Sequence, residues 1–405
     1  MISVEEALGR VAGAFRPLEA ERVPLREALG RVLAEDVAAH VTQPPTAISA
    51  MDGYAVRSVD LTKIPGILRC VGEAPAGGAY ERPLAPGETV RIFTGGPVPE
   101  GADAIVIQEN TKAEGDCITV LESTEPGRFI RPAGLDFRAG QICLARGRRL
   151  SPRDIGLAAA MNVAELTVTR HPKIAVLATG DELVAAGAEP GPNQIVSSNG
   201  PALVAFIAAR GATPIDLGIA GDTIPAFHEA ASRALDADLL VTTGGVSVGD
   251  RDLAKRALGE IGFVTDFWQV AMRPGKPLLF GRLGRLPILG LPGNPVSALV
   301  CAVVYLAPAI AAMLGQSPEP AHPDSALLAR DLPGNDHRQD YLRAGLSFDA
   351  AGNAVANPFS RQDSAMLSFL AGADCLVVRP PCAPAATAGS RVPIIPLSAF
   401  CYHTG

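Results

Sequence analysis

Ala237-Asp238-Leu239-Leu240-Val241-Thr242-Thr243-Gly244-Gly245-Val246-Ser247-Val248-Gly249-Asp250-Arg251-Asp252 reads as a strand, a glycine-rich turn and the start of a helix. Asp238 to Thr243 is apolar, β-rich and bounded by turn residues, the mark of a short buried strand. The glycines that follow cannot extend it, because glycine favours conformations that break a ladder. Asp250 or Asp252 can cap a helix continuing through Leu253, Ala257 and Leu258. Such a turn exposes backbone N–H groups and a helix N-terminus beside two carboxylates. Amides favour phosphate, and paired carboxylates favour Mg²⁺, which itself bridges phosphate.

Working outward, two other stretches have the same construction. Lys173 to Ala178 is a strand running into Thr179-Gly180-Asp181-Glu182-Leu183. Leu286 to Leu289 is a strand running into Gly290-Leu291-Pro292-Gly293-Asn294-Pro295-Val296-Ser297 and a long apolar helix. In an open α/β sheet, ligands sit beyond the carboxyl ends of the strands, where such loops converge. The full alternation over residues 173–314 is strand 173–178, helix 199–210, strand 213–219, helix 224–235, strand 238–243, helix 252–261, strand 263–270, strand 286–290 and helix 296–314. It predicts a doubly wound parallel sheet.

The flanks have a different texture. Residues 2–15 and 24–34 read as helical, with Ser3 as N-cap of the first. Thr42-Gln43-Pro44-Pro45-Thr46 is extended, and Ser49 to Val56 reads as a tight turn into a strand. Short β-like runs at 66–71, 89–93, 103–108 and 117–121, split by Gly and Pro, predict a small β-rich domain. Ser151-Pro152 forms an N-cap and N1 pair for a helix over 153–161. Ser317-Pro318-Glu319-Pro320 marks a linker, and 325–400 returns to strands and turns. The fold class expected is therefore α/β plus β-rich domains in a multidomain chain. Its divisions are residues 1–40 with 138–170, a β-rich lobe at 41–137 inserted between them, an α/β domain at 171–317, and a last β domain at 318–405.

Bulk properties narrow the function. A chain of 405 residues with 48% hydrophobic content can hold several cores. A net charge of −7 argues against a nucleic-acid surface, although a local cationic cluster could still take an anionic small ligand. Seven cysteines without a C-x-x-C pair fit a reducing, cytoplasmic setting better than a disulfide framework or zinc site. The N-terminus, Met1-Ile2-Ser3-Val4-Glu5-Glu6, lacks a signal-peptide core. The apolar run at 298–314 is short for a membrane span and follows a loop after a strand, so it is expected as a buried helix.

Asp181 and Glu182 can ligate Mg²⁺ or act as acid or base; alternatively, they solvate and cap their own loop. Asp222 follows another strand and either joins the acidic cluster or caps the next helix. Met272-Arg273-Pro274-Gly275-Lys276-Pro277 puts two cations in a rigid turn, which is an anion site or a solvated turn. The six histidines show no ligand spacing. No G-x-x-x-x-G-K-[ST], G-x-G-x-x-G or G-x-S-x-G is present, which argues against Walker-type NTPases, dinucleotide oxidoreductases and α/β-hydrolases.

The segments Ser49-Ala50-Met51-Asp52-Gly53-Tyr54-Ala55-Val56, Phe93-Thr94-Gly95, Thr179-Gly180-Asp181-Glu182-Leu183, Thr243 to Asp250, Arg273-Pro274-Gly275-Lys276-Pro277 and Leu291 to Ser297 occur in one order. Together they resemble the molybdopterin molybdenumtransferase family, that of MoeA and the gephyrin E domain, over essentially the whole chain. The resemblance implies four domains in an elongated multidomain chain, with a doubly wound molybdopterin-binding α/β domain, and an elongated homodimer. It also implies an active site that combines the α/β domain of one subunit with the β-rich lobe of the other. The implied reaction inserts molybdate-derived molybdenum into adenylyl-molybdopterin and releases AMP, with Mg²⁺ present. Carried onto this chain, it implies Glu182, Asp222, Asp250 and Asp252 as metal ligands. It implies Asp52, Thr94, Asp136 and Glu182 as catalytic residues. Substrate contacts would come from Asp181, Gly244, Gly245, Ser247, Arg273, Lys276, Pro292, Gly293, Asn294, Pro295, Arg343 and Ser364. The chain departs from the family pattern at Ser197-Ser198-Asn199, where an acid commonly precedes Ser-Asn. Implied partners are a second copy of the chain, the adenylyltransferase and downstream cofactor-modifying proteins, with no nucleic acid and no membrane. Two other functions fit the same motifs: a scaffold that keeps the fold for partner binding, and molybdopterin adenylyltransferase. The acids and the extra domains with Asp52 weigh against them.

Overall fold

The computed structural model describes residues 1–221, 223–244, 262–317 and 324–397. The chain divides into two compact units: residues 22–29 with 35–167, and residues 1–21, 30–34 and 168–405. The expected helix 252–261, the caps Asp250 and Asp252, and most of the Ser317–Pro320 linker lie outside the described residues.

The first of these units is built on a six-stranded sheet. Its strands are β1 (Gly53–Val56), β2 (Gly66–Ala74), β3 (Glu88–Ile92), β4 (Ala104–Ile107), β5 (Thr111–Glu114) and β6 (Cys117–Val120), in the order β4-β1-β3-β2-β6-β5. Alternation of side chains across the pleat yields two apolar clusters. Tyr54, Val56, Leu68, Val106 and Ile118 form one, and Ala55, Val90, Ile92 and Ile105 the other. Gly53 is required where β1 meets β4, since a β-carbon there would stand 2.0 Å from Val106 O. Helix Pro152–Ala160 begins as its sequence predicts. Ser151 is the N-cap, Pro152 opens the first turn, and Asp154 closes a capping box.

The expected helix over 24–34 is not formed. Only one tight turn, Leu25–Glu27, is helical. Gly30 adopts φ +75°, and Val32 O accepts from Thr169 N at 2.8 Å while Leu33 bridges to Val168. Pairing with a neighbouring segment outweighed helical spacing.

The second unit starts with α1 (Val4–Gly13), where Ser3 Oγ accepts from Glu6 N at 3.0 Å as the N-cap pattern requires. Its main sheet contains β7 (Lys173–Thr179), β8 (Thr213–Ala220), β9 (Leu239–Thr243), β10 (Phe263–Gln269), β11 (Pro277–Leu283) and β12 (Leu286–Leu291), in the order β8-β7-β9-β12-β11-β10. The first four are parallel, as the alternation predicts. β11 and β10 extend the sheet antiparallel, and β11 was not foreseen because Arg273-Pro274-Gly275-Lys276-Pro277 masks its start.

Both faces of this sheet are covered. Ile174, Val176, Leu239, Val241 and Leu289 pack under α1, α2 (Asn199–Ala209) and α4 (Pro295–Met313). Ala175, Leu177, Leu240 and Ile288 pack on the other side with Ala230 and Ala231 of α3 (Ile224–Ser232). Near-continuous apolar strands are what burial on two faces demands. Thr223, not Asp222, is the residue that caps α3, its hydroxyl accepting from Ala226 N at 3.3 Å.

α4 is 19 residues long with a mean hydropathy of 2.2, enough by length and composition to cross a membrane, yet 83% of its most apolar window is buried in the core. It carries a wider turn at Ala302–Leu306, where Ala307 N reaches back to Ala302 O. Pro308 follows and cannot donate to the carbonyl four residues earlier, which favours such a turn.

The last segment forms a sheet of β13 (Asp324–Leu328), β14 (Gln339–Phe348), β15 (Ala354–Pro358), β16 (Cys375–Arg379) and β17 (Arg391–Pro396). The order β14-β15-β13-β17-β16, with β14 also pairing β16, closes it on itself. The short strand Met272–Arg273 adds parallel to β14, pairing Arg273 with Asp340.

Candidate functional site

The register of the parallel strands brings their ends level. Ala178 pairs with Thr243, Thr243 with Leu291, and Thr179 with Ala220. The loops after β7, β8, β9 and β12 therefore leave from one edge of the sheet. β11 runs antiparallel beside β12, with Leu279 opposite Gly290. Its N-terminal end, preceded by Arg273 to Lys276, lies toward the same edge.

Backbone contact between the loops is close. Gly244 has φ +89°, and a β-carbon there would stand 2.2 Å from Thr179 O. A β-carbon at Gly293 would touch Gly244 Cα at 3.6 Å. Asn199, at the start of α2, ties the loops together. Its Nδ2 donates to Thr243 Oγ1 at 2.8 Å and to Gly293 O at 2.7 Å, while Thr243 Oγ1 donates to Pro292 O at 3.1 Å. Asn199 was not among the expected site residues. The signals were its place in the Ser-Asn pair of the family pattern and a side-chain amide able to donate twice at the first position of a helix.

Glu182 and Asp181 are exposed at this edge. The Glu182 carboxylate folds over Gly180, where a β-carbon would stand 2.6 Å from Oε2. A β-carbon at Gly221 would stand 3.1 Å from Asp181 Oδ1, so Asp181 leans past the end of β8. Thr179 Oγ1 is buried here with no hydrogen-bond partner among the described residues. A side-chain cradle left open at glycine, oxygen-only donors and an orphaned hydroxyl fit a hard divalent ion. No group of three possible metal-ligating side chains occurs among the described residues. Asp222, Asp250 and Asp252 lie outside them, as do Gly245 and Ser247.

The cationic turn is built differently from a free anion trap. Arg273 makes a two-pronged ion pair with Asp340, Nε to Oδ1 at 2.9 Å and Nη2 to Oδ2 at 2.8 Å. Asp340 is 4% exposed, whereas the Arg273 side chain is about half exposed. That pair raises the Arg273 pKa above its ordinary value. Gly275, at φ +109°, seats the turn on α4, since a β-carbon there would stand 2.5 Å from Cys301 Sγ. Lys276 is exposed beside it.

Arg343 is 1% exposed, and its guanidinium donates to Gln362 Oε1 at 3.2 Å and Asp363 O at 2.9 Å. Burial pushes its pKa down, while Asp363 opposes the shift. Arg343 thus fixes the backbone of 362–366. Ser364, on that segment, receives Asn294 Nδ2 at 3.0 Å on its hydroxyl and Val296 N at 3.1 Å on its carbonyl. The closed C-terminal sheet is in this way bonded to the Pro292–Pro295 loop, with Pro295 opening α4.

In the other unit, Asp52, Thr94 and Asp136 are all exposed. Asp52 Oδ1 accepts from Thr94 N at 2.7 Å and from Thr94 Oγ1 at 2.8 Å. The Thr94 N–H first, then its hydroxyl and the nearby Arg91 charge, hold the Asp52 carboxyl below the ordinary range against a small burial effect. Ser49 and Gly95–Gly96 bond across the two turns, Gly95 N to Ser49 O at 2.9 Å and Ser49 N to Gly96 O at 2.9 Å. Ile130 pairs with Ser49 and leads into the segment carrying Asp136, whose N–H meets Gln43 O at 3.1 Å.

Residues 2–162 match the MoeA N-terminal region (domain I and II), 175–312 a probable molybdopterin binding domain, and 325–397 the MoeA C-terminal region (domain IV). Molybdopterin molybdenumtransferase 2 of Mycobacterium tuberculosis is 37% identical over 405 residues, covering 97% of this chain and 99% of that one. Molybdopterin molybdenumtransferase of Bacillus subtilis is 33% identical, covering 94% and 90%. The crystal structure of a molybdopterin biosynthesis MoeA protein from Pyrococcus horikosii superposes with a TM-score of 0.84 at 29% identity, covering 99% of this chain and 100% of that one. Matched from end to end in sequence and in fold, the chain belongs to the molybdopterin molybdenumtransferase family, enzymes of molybdenum cofactor biosynthesis.

Proposed function

We propose that the chain inserts molybdenum from molybdate into adenylyl-molybdopterin and releases AMP, in a Mg²⁺-dependent reaction. The observation that carries this reading is the single sheet edge at which four strand-following loops meet, cross-tied by Asn199 through Thr243 and Gly293. Loops of that kind present amides to phosphate, and Gly244, Gly245, Gly293 and Asn294 take that role. Pro292 and Pro295 stiffen the second loop. Lys276, with Arg273 and Ser247, draws the molybdate oxyanion, and Ser364 contacts it from the segment that Arg343 holds.

Glu182, with Asp222, Asp250 and Asp252, would hold Mg²⁺, which when bound neutralises charge on the pyrophosphate. Asp181 orients the same loop. Asp52, kept ionised by Thr94, serves as a proton acceptor from the β-rich lobe, with Asp136 as a second carboxylate. The reading includes a homodimer, a cytoplasmic setting, and exchange of the pterin with an adenylyltransferase and downstream cofactor-modifying proteins. It also includes division of the chain at 1–40 with 138–170, 41–137, 171–317 and 318–405.

The test is a single-turnover reaction with purified protein, adenylyl-molybdopterin, molybdate and Mg²⁺, following AMP and metal bound to the pterin. Molybdate-dependent AMP release, reduced at least about 100-fold in Glu182→Ala, is expected. Binding of the adenylate without any turnover would sink the transferase reading and favour a scaffold.

A further inference from the structure

Arg91 is a cation of the β-rich lobe to which the mechanism above gives no role. It lies on β3, opposite Tyr54 of β1, and two residues before Phe93, so Arg91 and Phe93 share one face. Its guanidinium sits 5.0 Å from the Tyr54 ring centroid and 5.2 Å from that of Phe93. Nη2 donates to Gln108 Oε1 at 2.5 Å. Two aromatic contacts and one amide fix the plane of the group. Arg273 and Arg170 end on carboxylates; Arg91 makes no ion pair of that kind among the described residues. A guanidinium has five N–H donors, and one is used among the described residues. The held cation stands beside Thr94 and Asp52, close enough for its charge to act on the Asp52 carboxyl. Gln108 belongs to the same corner, its N–H meeting Asp52 O at 3.2 Å.

A rigid cation with uncommitted edge donors, next to an oriented carboxylate, is the arrangement that recognises an oxyanion. We infer that Arg91 is a substrate-binding residue that presents its guanidinium edge to an anionic oxygen of the substrates, either a phosphate oxygen of the pterin nucleotide or molybdate. This rests on the transferase reading above. The alternative is a merely structural Arg91 that packs Tyr54 and Phe93.

The experiment measures initial rates with the full chain as wild type, Arg91→Met, Arg91→Lys and Gln108→Met, varying molybdate and adenylyl-molybdopterin separately. Arg91→Met is expected to raise one KM at least tenfold with kcat within threefold, and Arg91→Lys to recover part of that loss. The substrate whose KM moves identifies the oxygen's source. Both KM values within twofold of wild type, or a fall in kcat alone, would overturn the inference. Should Arg91→Met fail to fold, Gln108→Met decides: it keeps the charge but frees the guanidinium, so a KM raised threefold supports the inference and an unchanged KM overturns it. Absence of turnover in the wild type would defeat the transferase reading by itself. Calorimetry with sodium molybdate and sodium pyrophosphate would then judge Arg91: weaker binding of either probe to the Arg91→Met chain supports it, and equal binding overturns it.

Discussion

Gly244→Ala tests whether the sheet edge works as a close-packed phosphate cradle. The added β-carbon would stand 2.2 Å from Thr179 O, against an ordinary carbon-to-oxygen approach of about 3.3 Å. One of the two loops must therefore retreat by roughly 1 Å. The residue also sits at φ +89°, which costs a non-glycine residue about 1–2 kcal/mol. Displacing packed neighbours adds about 1–3 kcal/mol. A total near 3 kcal/mol corresponds to a fall of about 5 °C in the melting midpoint of a unit this large. The functional effect is larger in proportion, since a displacement of about 1 Å of positioning groups can cost about 100-fold in rate. A thermal melt and single-turnover AMP release on the same preparation separate the two effects. A folded Gly244→Ala enzyme turning over within threefold of wild type would refute the cradle.

Other perturbations follow from the ion pairs. Arg273→Met strands a buried Asp340, while Asp340→Asn leaves Arg273 able to turn into water. We expect the first to cost about 2 kcal/mol and the second about 1 kcal/mol in denaturant melts, after allowing for the exposed guanidinium; equal losses would contradict the asymmetry. Asp238 is a pH probe: burial alone would raise its pKa, but hydrogen bonds from Arg170 at 2.7 and 2.8 Å and from Lys173 N lower it overall. Because the folded pKa lies below the unfolded value, its stabilisation is full above about pH 4 and is lost as pH falls through the folded pKa. Asp238→Asn should therefore flatten the drop in melting temperature between about pH 5 and pH 2, and an unchanged slope would show that the pair contributes nothing.

The α/β part was legible because its signals are local. Strands buried on two faces read as apolar runs, and the glycines after them break the pattern where the chain must turn. Ser3 and Ser151 announced helix starts for the same reason, since a cap needs only a hydroxyl and the N–H groups next to it. The stretch 24–34 misled because its helical spacing lost to pairing of Val32 and Leu33 with Val168 and Thr169, more than 130 residues away. The reach of that partner has no trace in the local pattern.

The site divides along the same line. The sequence by itself determined which chemical groups are available: the carboxylates Asp181 and Glu182, the glycines that let backbone approach ligand, and the cations Arg273 and Lys276. Only the tertiary structure decided how those groups are committed. Register across β7, β9 and β12 brought the loops to one edge, and Asn199 tied them. Pairing of Met272–Arg273 with β14 set Asp340 against Arg273, and hydrogen bonds from the buried Arg343 brace the segment that carries Ser364. A side chain's chemistry is written in its identity, but its charge is free or spent according to a partner that arrives from elsewhere in the chain.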